Sequence, residues 1–266
     1  MDGHPSDSAP ANADPRVSVI VPAHNEAAAL PEALARLDAY LACIRSAYDC
    51  ELVVVDDGST DDTPQILARW AAAHPDRLQV VTHAVNAGLT AAIRSGCAAA
   101  RGRSLVVMDA DLSYAPETIG TLLEAQARAG AAAAIASPYM RGGRTGNVPF
   151  VRLAASRVAN AILSACVFGR VKTLTGMVRA YDAATLRRIL AERERGEFNS
   201  WVVARLLASG ARLVEVPAAL VWPRSRTSEP SRLTWPKFLA RVRLTLVTAG
   251  TLLRVSAFPR RPAQHG

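Results

Sequence analysis

The chain has 266 residues, half of them hydrophobic and a fifth charged, with a formal net charge of +8. That is an ordinary globular composition, long enough for one large domain or two small ones, and it excludes a chain without a core. The charge is uneven: residues 221–266 hold nine basic residues and one acid, Glu229, while residues 1–220 balance at 22 of each sign, so an anionic partner is expected at the C-terminus.

In chain order, residues 1–15 read as a disordered leader without the charged-then-apolar pattern of a signal peptide. A strand at 17–21 ends in Pro22-Ala23-His24-Asn25-Glu26, and a helix follows to about 47. A second strand, 51–55, ends in Asp56-Asp57-Gly58-Ser59-Thr60-Asp61-Asp62-Thr63, where Thr63 is expected to cap a helix with Pro64 at its first position. A third, 78–82, leads through Asn86-Ala87-Gly88 into a helix over 89–100. The fourth, Leu105-Val106-Val107-Met108, is apolar throughout, as a strand buried on both faces must be, and runs into Asp109-Ala110-Asp111-Leu112-Ser113. A helix over 116–129 and a strand over 131–137 continue the alternation. This spacing predicts an α/β fold, a mostly parallel sheet with helices on both faces.

Regularity then stops. Residues 138–149, with Gly142, Gly143, Gly146, Arg141 and Arg144, read as a mobile loop. A helix over 151–168, a short strand near 177–181, helices from 183 and around 200–209, and a strand over 212–216 ending at Pro217 follow. The four cysteines form no Cys-x-x-Cys pair and read as reduced core thiols of a cytosolic protein. Residues 238–258 contain only ten consecutive uncharged residues between arginines. That is too short for a span of ~20 apolar residues, and leaves an amphipathic helix on a membrane face or a helix docked on the protein itself.

Ligands of open α/β sheets bind beyond the carboxyl ends of the strands. Four such ends in succession carry small, polar or acidic residues. Asn25 and Glu26 offer acceptors and donors to a flat ring. Asp57 offers a carboxylate to ring N–H or ribose hydroxyls. Asn86 and Gly88 precede a helix start suited to an anion, with Arg94 further along that helix. Asp109 and Asp111 present two carboxylates to one hard cation, Mg2+ or Mn2+, with positions left for water and diphosphate. Each element alone is ordinary turn chemistry; four in order describe base, ribose, phosphate and metal sites for a nucleoside diphosphate.

These motifs resemble a family-2 glycosyltransferase with the A-type fold, over about residues 16–233, leaving 234–266 as a basic amphipathic C-terminal segment. Within the family the chain is most similar to dolichol- or polyprenyl-phosphate sugar synthases. The likeness rests on Asp109-Ala110-Asp111-Leu112-Ser113 with Pro116-Glu117, Gly142-Gly143, Arg152 and Ser156, Glu215-Val216-Pro217, Arg226 and Ser231-Arg232-Leu233. It implies inverting transfer from a nucleotide-diphosphate sugar, GDP-mannose or a UDP-sugar, to a polyprenyl phosphate at the cytoplasmic membrane face. It implies that Pro22, Ala23, Asn25, Glu26 and Asp57 contact the nucleoside. It implies that Asp109 and Asp111 hold the metal, with Ser113 beside them where relatives often have Gln. Arg152, Ser156, Arg226 and Ser231 fall where the family meets the acceptor phosphate. Arg152 and Ser156, at i and i+4, share one helix face, and Arg grips phosphate through two N–H groups as Lys does not. An anionic membrane surface is an expected partner; nucleic acid is not.

Three departures fall on the sugar or acceptor side. Ser137-Pro138-Tyr139 replaces the usual Ser-Arg-Tyr, with Arg141 and Arg144 as candidate substitutes for the missing cation. Thr173-Leu174-Thr175-Gly176 lacks the usual Asp. Glu229-Pro230 stands where relatives have Gly before the final Ser-Lys. An acceptor phosphate is already ionised near neutral pH and needs no general base, in keeping with the scattered histidines. Two rivals remain at this stage: transfer to a hydroxyl, for which Glu197 is the candidate base, and a nucleotide-sugar-binding protein with degraded catalysis.

Overall fold

Alternation along the strands divides the core. In β1 (Val17–Ala23), Val17, Val19 and Val21 join one buried cluster and Ile20 a second on the opposite face of the sheet. β2 (Cys50–Asp56) repeats this with Leu52 and Val54 against Val53, and β4 (Ser104–Val107) with Val106 against Leu105 and Val107. Helices α1 (Leu30–Cys43), α2 (Thr63–Ala73) and α4 (Thr118–Ala129) cover the first face. Helices α3 (Leu89–Ala99), α6 (Ala183–Leu190) and α7 (Phe198–Ala208) cover the second. Strands buried on both faces carry apolar residues at every position, which is why they read as runs.

The computed structural model describes residues 17–192, 198–222, 245, 247–250 and 252–253. With β3 (Leu78–Thr82), β5 (Ala133–Ser137), β7 (Arg179–Asp182) and β8 (Leu213–Pro217), the main sheet runs β3-β2-β1-β4-β7-β5-β8. β7 is antiparallel to both neighbours; the other pairings are parallel. The expected mostly parallel α/β sheet is therefore present, and the short strand expected near 177–181 is an insertion between β4 and β5.

Residues 138–149, expected as a loop, contain β6 (Arg144–Gly146), which pairs in parallel with β9 (Ala219–Val221). β6, Arg-Thr-Gly, has no apolar run to betray it, and the Ala-Leu-Val of β9 is too short to stand out after Pro217. Thr63 does not cap α2. Its Oγ1 accepts from the Glu26 N–H at 2.9 Å, and its own N–H donates to Asp61 Oδ1 at 3.0 Å. Of the thiols, Cys97 and Cys166 are buried, Cys50 is half-buried and Cys43 is exposed at the end of α1, so only part of the expected core placement holds. Burial pushes Cys97 up to about 12 and Cys50 up to about 11.

α5 (Phe150–Cys166) lies outside the main two faces and builds a third cluster. Leu163, Cys166, Val171 and Leu174 meet Val203 and Ala204 of α7 there, together with Ala249 and Leu252. The described part of the C-terminal segment is thus docked on the protein: Thr248 and Leu252 are fully buried. No helix among the described residues is long and apolar enough to cross a membrane.

Candidate active site

The loops after β1 and β2 are stitched together. Asn25, in the left-handed region at φ 55°, donates its N–H to Ser59 Oγ at 2.9 Å and accepts the Thr60 N–H at 2.8 Å. His24 Nδ1 lies 2.9 Å from the Asp57 carbonyl, which makes Nδ1 the protonated nitrogen and leaves Nε2 to accept from the Asn25 amide. The Ala27 N–H donates to Asp61 Oδ2 at 3.1 Å. Pro22 and Ala23 end β1 directly beneath this mesh. Gly58, at φ 66°, lies so close to the next loop that a Cβ would collide with the Val85 backbone.

Asp57 has a different job from the one expected. Its buried carboxylate accepts from Ala87 N–H at 2.9 Å, Gly88 N–H at 2.8 Å and His83 Nδ1 at 2.7 Å. Burial alone would raise this carboxyl, but those two N–H groups and His83 together hold it below the usual range. The carboxylate therefore shapes the Asn86-Ala87-Gly88 loop. Gly88, at φ 90°, turns the chain into α3. His83 Nε2 meets Ser95 Oγ at 2.8 Å, so Ser95, His83 and Asp57 form one relay that anchors the loop on α3. Arg94 turns away: its guanidinium donates to the carbonyls of Leu190 and Glu192 at the end of α6.

β4 delivers the two carboxylates. Met108 N–H still bonds Ile20 O at 2.9 Å, and the chain then leaves the sheet. Leu112 takes φ 48°, folding Ser113 back. Ser113 Oγ donates to Asp109 Oδ2 at 3.0 Å and its N–H to Asp111 Oδ1 at 3.0 Å. Ser113, expected as a metal ligand, is buried behind the pair and orients both carboxylates. Burial first, then the Asp109 charge, pushes the Tyr114 phenol up, so it stays neutral beside them. Two half-buried carboxylates with no third acid or histidine within reach, among the described residues, make a poor all-protein cage. They fit a Mg2+ or Mn2+ that takes its remaining oxygens from water and phosphate.

The described residues expected on the acceptor side gather around α5. Arg152 lies over the Trp222 ring, 4.2 Å from its centroid. Ser156 accepts from Tyr139 OH at 2.8 Å. The two halves meet through β9: Val221 N–H donates to Ser113 O at 2.8 Å, and the next residue is Trp222 under Arg152. A cleft of about 570 Å³ beside Asp111, Ser113 and Val221 opens between them and α1.

Arg226, Ser231 and Glu197 lie outside the described residues. Arg141 and Arg144, the candidate substitutes for the arginine missing at Pro138, are both exposed, Arg144 within β6. Around Thr173, where the usual Asp is absent, two side chains hold the backbone. The fully buried Arg179 donates to the carbonyls of Asn199, Thr173 and Leu174. Glu215 accepts the N–H groups of Lys172 at 2.8 Å and Thr173 at 2.9 Å. His83, Tyr139, Trp222 and Asn160 were not legible as site residues, because each acts on a partner far away in sequence.

The glycosyl transferase family 2 model matches residues 18–190. The chain is 37% identical over 208 residues to the polyprenol monophosphomannose synthase of Mycolicibacterium smegmatis, covering 76% of each. It is 33% identical over 205 residues to the dolichol-phosphate mannosyltransferase of Pyrococcus furiosus, covering 76% of this chain but only 55% of that protein. The mannosyltransferase PcManGT of Pyrobaculum calidifontis, solved with GDP-Man and Mn2+, has the same fold, with a TM-score of 0.62 at 24% identity over 91% of this chain and 65% of that one. The S. aureus TarS fragment solved with UDP-GlcNAc superimposes with a TM-score of 0.57 at 18% identity, over 91% of this chain and 71% of that one. With strand ends, paired carboxylates and sequence in agreement, the chain belongs to glycosyl transferase family 2 and is a glycosyltransferase of the A-type fold.

Proposed function

We propose that this protein transfers a sugar, with inversion, from a nucleotide-diphosphate sugar to a polyprenyl phosphate at the cytoplasmic face of a membrane whose anionic surface it touches peripherally. The observation that carries this reading is the junction at β9. One hydrogen bond joins the loop of Asp109 and Asp111 to the residue preceding Trp222, and Trp222 carries Arg152. Paired carboxylates suited to a metal diphosphate therefore stand beside an arginine suited to a phosphate. The relatives' names supply the first substrates to try, a mannose donor and a polyprenol-type phosphate.

Pro22, Ala23, Asn25 and Glu26 would receive the nucleoside on the β1 loop, with Asn86 and Gly88 beside the diphosphate and Asp57 holding that loop in place. Asp109 and Asp111 would hold Mg2+ or Mn2+, which when bound offsets the charge growing on the leaving nucleoside diphosphate. Arg152 and Ser156, with Arg226 and Ser231, would orient the acceptor phosphate. Its oxygen is already anionic near pH 7, so none of these residues has to remove a proton. The test is a turnover assay of the full chain with a panel of radiolabelled nucleotide sugars and polyprenyl phosphate, with the anomeric configuration of the product read by NMR. Transfer to polyprenyl phosphate with inverted configuration is expected. A retained configuration would overturn the mechanism, and transfer only to hydroxyl acceptors would overturn the acceptor.

A further inference from the structure

Pro138 stands where the family usually has an arginine, yet α5 carries Arg157 on a face the motifs do not use, and Lys172 follows on the turn after it. A cavity of about 650 Å³ opens between α5, the chain after β5 and the turn after α5. Tyr139, Arg157, Asn160, Ser164, Gly169 and Lys172 line it, and among the described residues its only charged lining is the two cations. Both are exposed, and neither belongs to an ion pair among the described residues.

The wall bearing Lys172 is held from three sides. Asn160 Oδ1 accepts from Leu174 N–H at 2.8 Å and its amide donates to Thr175 Oγ1 at 2.9 Å. Glu215 accepts the Lys172 and Thr173 N–H groups. Ser137 and Thr173 hydroxyls meet at 2.6 Å. Lys172 Nζ is folded back over the turn, 3.6 Å from where a side chain on Gly169 would begin. A neutral Thr at 173 also keeps this rim free of negative charge.

Helix geometry orders the faces of α5. At about 100° per residue, Arg152 and Ser156 form one edge, Arg157, Asn160 and Ser164 the next, and Val151, Val158 and Ile162 a third. The third edge is apolar yet uncovered: Val151 is 64%, Val158 59% and Ile162 44% exposed, and Phe168 beyond the helix is 75% exposed. The cation-lined pocket thus adjoins the edge proposed for transfer, with Tyr139 of its lining bonded to Ser156, while the apolar strip lies on the far side of the helix, about 150° round.

We propose that this cavity is a capture subsite for the acceptor, with Arg157 and Lys172 taking the phosphate monoester. The inference rests on the reading of polyprenyl phosphate as acceptor and adds two residues and an order of events to it: capture here, transfer at Arg152.

The experiment compares wild type with the R157Q/K172Q double variant, and with the charge-preserving R157K/K172R. The variants lie on the surface, so their thermal midpoints should match wild type. With a water-soluble short-chain prenyl phosphate as acceptor, KM should rise roughly 10- to 100-fold in R157Q/K172Q, the loss expected for charge-assisted hydrogen bonds, with kcat and donor dissociation constant unchanged. R157K/K172R should recover most of it. An unchanged acceptor KM overturns the subsite, and so does a fall in kcat at constant KM, which would put the two cations at the transfer position. A loss confined to acceptor presented in phosphatidylglycerol vesicles, and absent for the soluble acceptor, also overturns it, assigning the cations to bilayer headgroups. Calorimetry of the short prenyl phosphate on both proteins reads the pocket even where no turnover occurs, so its failure is distinct from failure of the proposed reaction.

Discussion

At the carboxyl ends of β1, β2 and β3 the charged and polar side chains are bonded to one another; along α5 the charged side chains point outward. Asp57, Asp61, His83 and Asn25 are each engaged by the backbone or side chain of a neighbouring loop. Arg157 and Lys172 have no acid partner among the described residues, and Arg152 rests on an aromatic face. The contrast has a physical reason. A nucleotide site must hold a rigid ring in one pose, which calls for loops organised before the ligand arrives. A site for an anionic head on a flexible chain needs cations whose charge is not already neutralised, and an apolar surface for the chain to lie on.

The contrast can be broken most sharply at the proposed metal pair. Asp111→Asn should lower turnover by at least about 10²–10³-fold, as loss of one preorganised charge-stabilising group does, with the thermal midpoint close to wild type. Chelator should do the same to wild type. Turnover that survives excess chelator, or a variant that unfolds, would remove Asp111 from that role.

Asp57→Asn tests the organised side. It takes one partner from three hydrogen bonds, so a cost of about 1–3 kcal/mol and weaker donor binding are expected at pH 7. The sign with pH follows from the lowered carboxyl. Its stabilisation is present above the unfolded value near ~3.9 and is lost as pH falls through the lower folded value. The gap between variant and wild type in chemical denaturation should therefore close in acid. A gap that is constant from pH 7 to pH 2 would mean that the Asp57 charge is not what anchors the loop.

On the outward-facing side, Arg152→Lys should raise acceptor KM by about tenfold with little change in donor affinity, because paired N–H contact is lost. Trp222→Ala should act in the same direction but more weakly, by about 0.5–1 kcal/mol, and Trp222→Phe less again. Equal effects on donor and acceptor constants would place Arg152 with the nucleotide.

The smallest effect expected is at the tail. Anionic lipid attracts each surface basic residue by ~1 kcal/mol, so vesicle binding by R241Q/R243Q/R254Q should fall, and wild-type binding should weaken in high salt. Truncation after Leu233 is a poorer probe: it also strips Ala249 and Leu252 from the third cluster, and a Leu that leaves a packed core costs about 2–5 kcal/mol. Equal pelleting of wild type and the charge variant on anionic vesicles would take the tail out of membrane contact.

The sequence alone determined the strands of the main sheet, the order of the strand ends and the carboxylate pair, because each is a local pattern. An apolar run followed by Asp, Asn or Gly states both a buried strand and a turn, and the sheet rule places the turn at the site. It also carried the Arg152–Ser156 pair, since helical spacing is local. Tertiary structure decided what depends on distant partners. The antiparallel β7 between β4 and β5, the pairing of β6 with β9, the burial of Asp57 on the 86–88 loop and the seat of Arg152 on Trp222 join residues roughly 30 to 75 positions apart. Lys172 shares a cavity with Arg157 because Asn160, Glu215 and Ser137 fix the turn that carries it. Spacing along the chain holds no record of such contacts, since their geometry is set by packing in three dimensions.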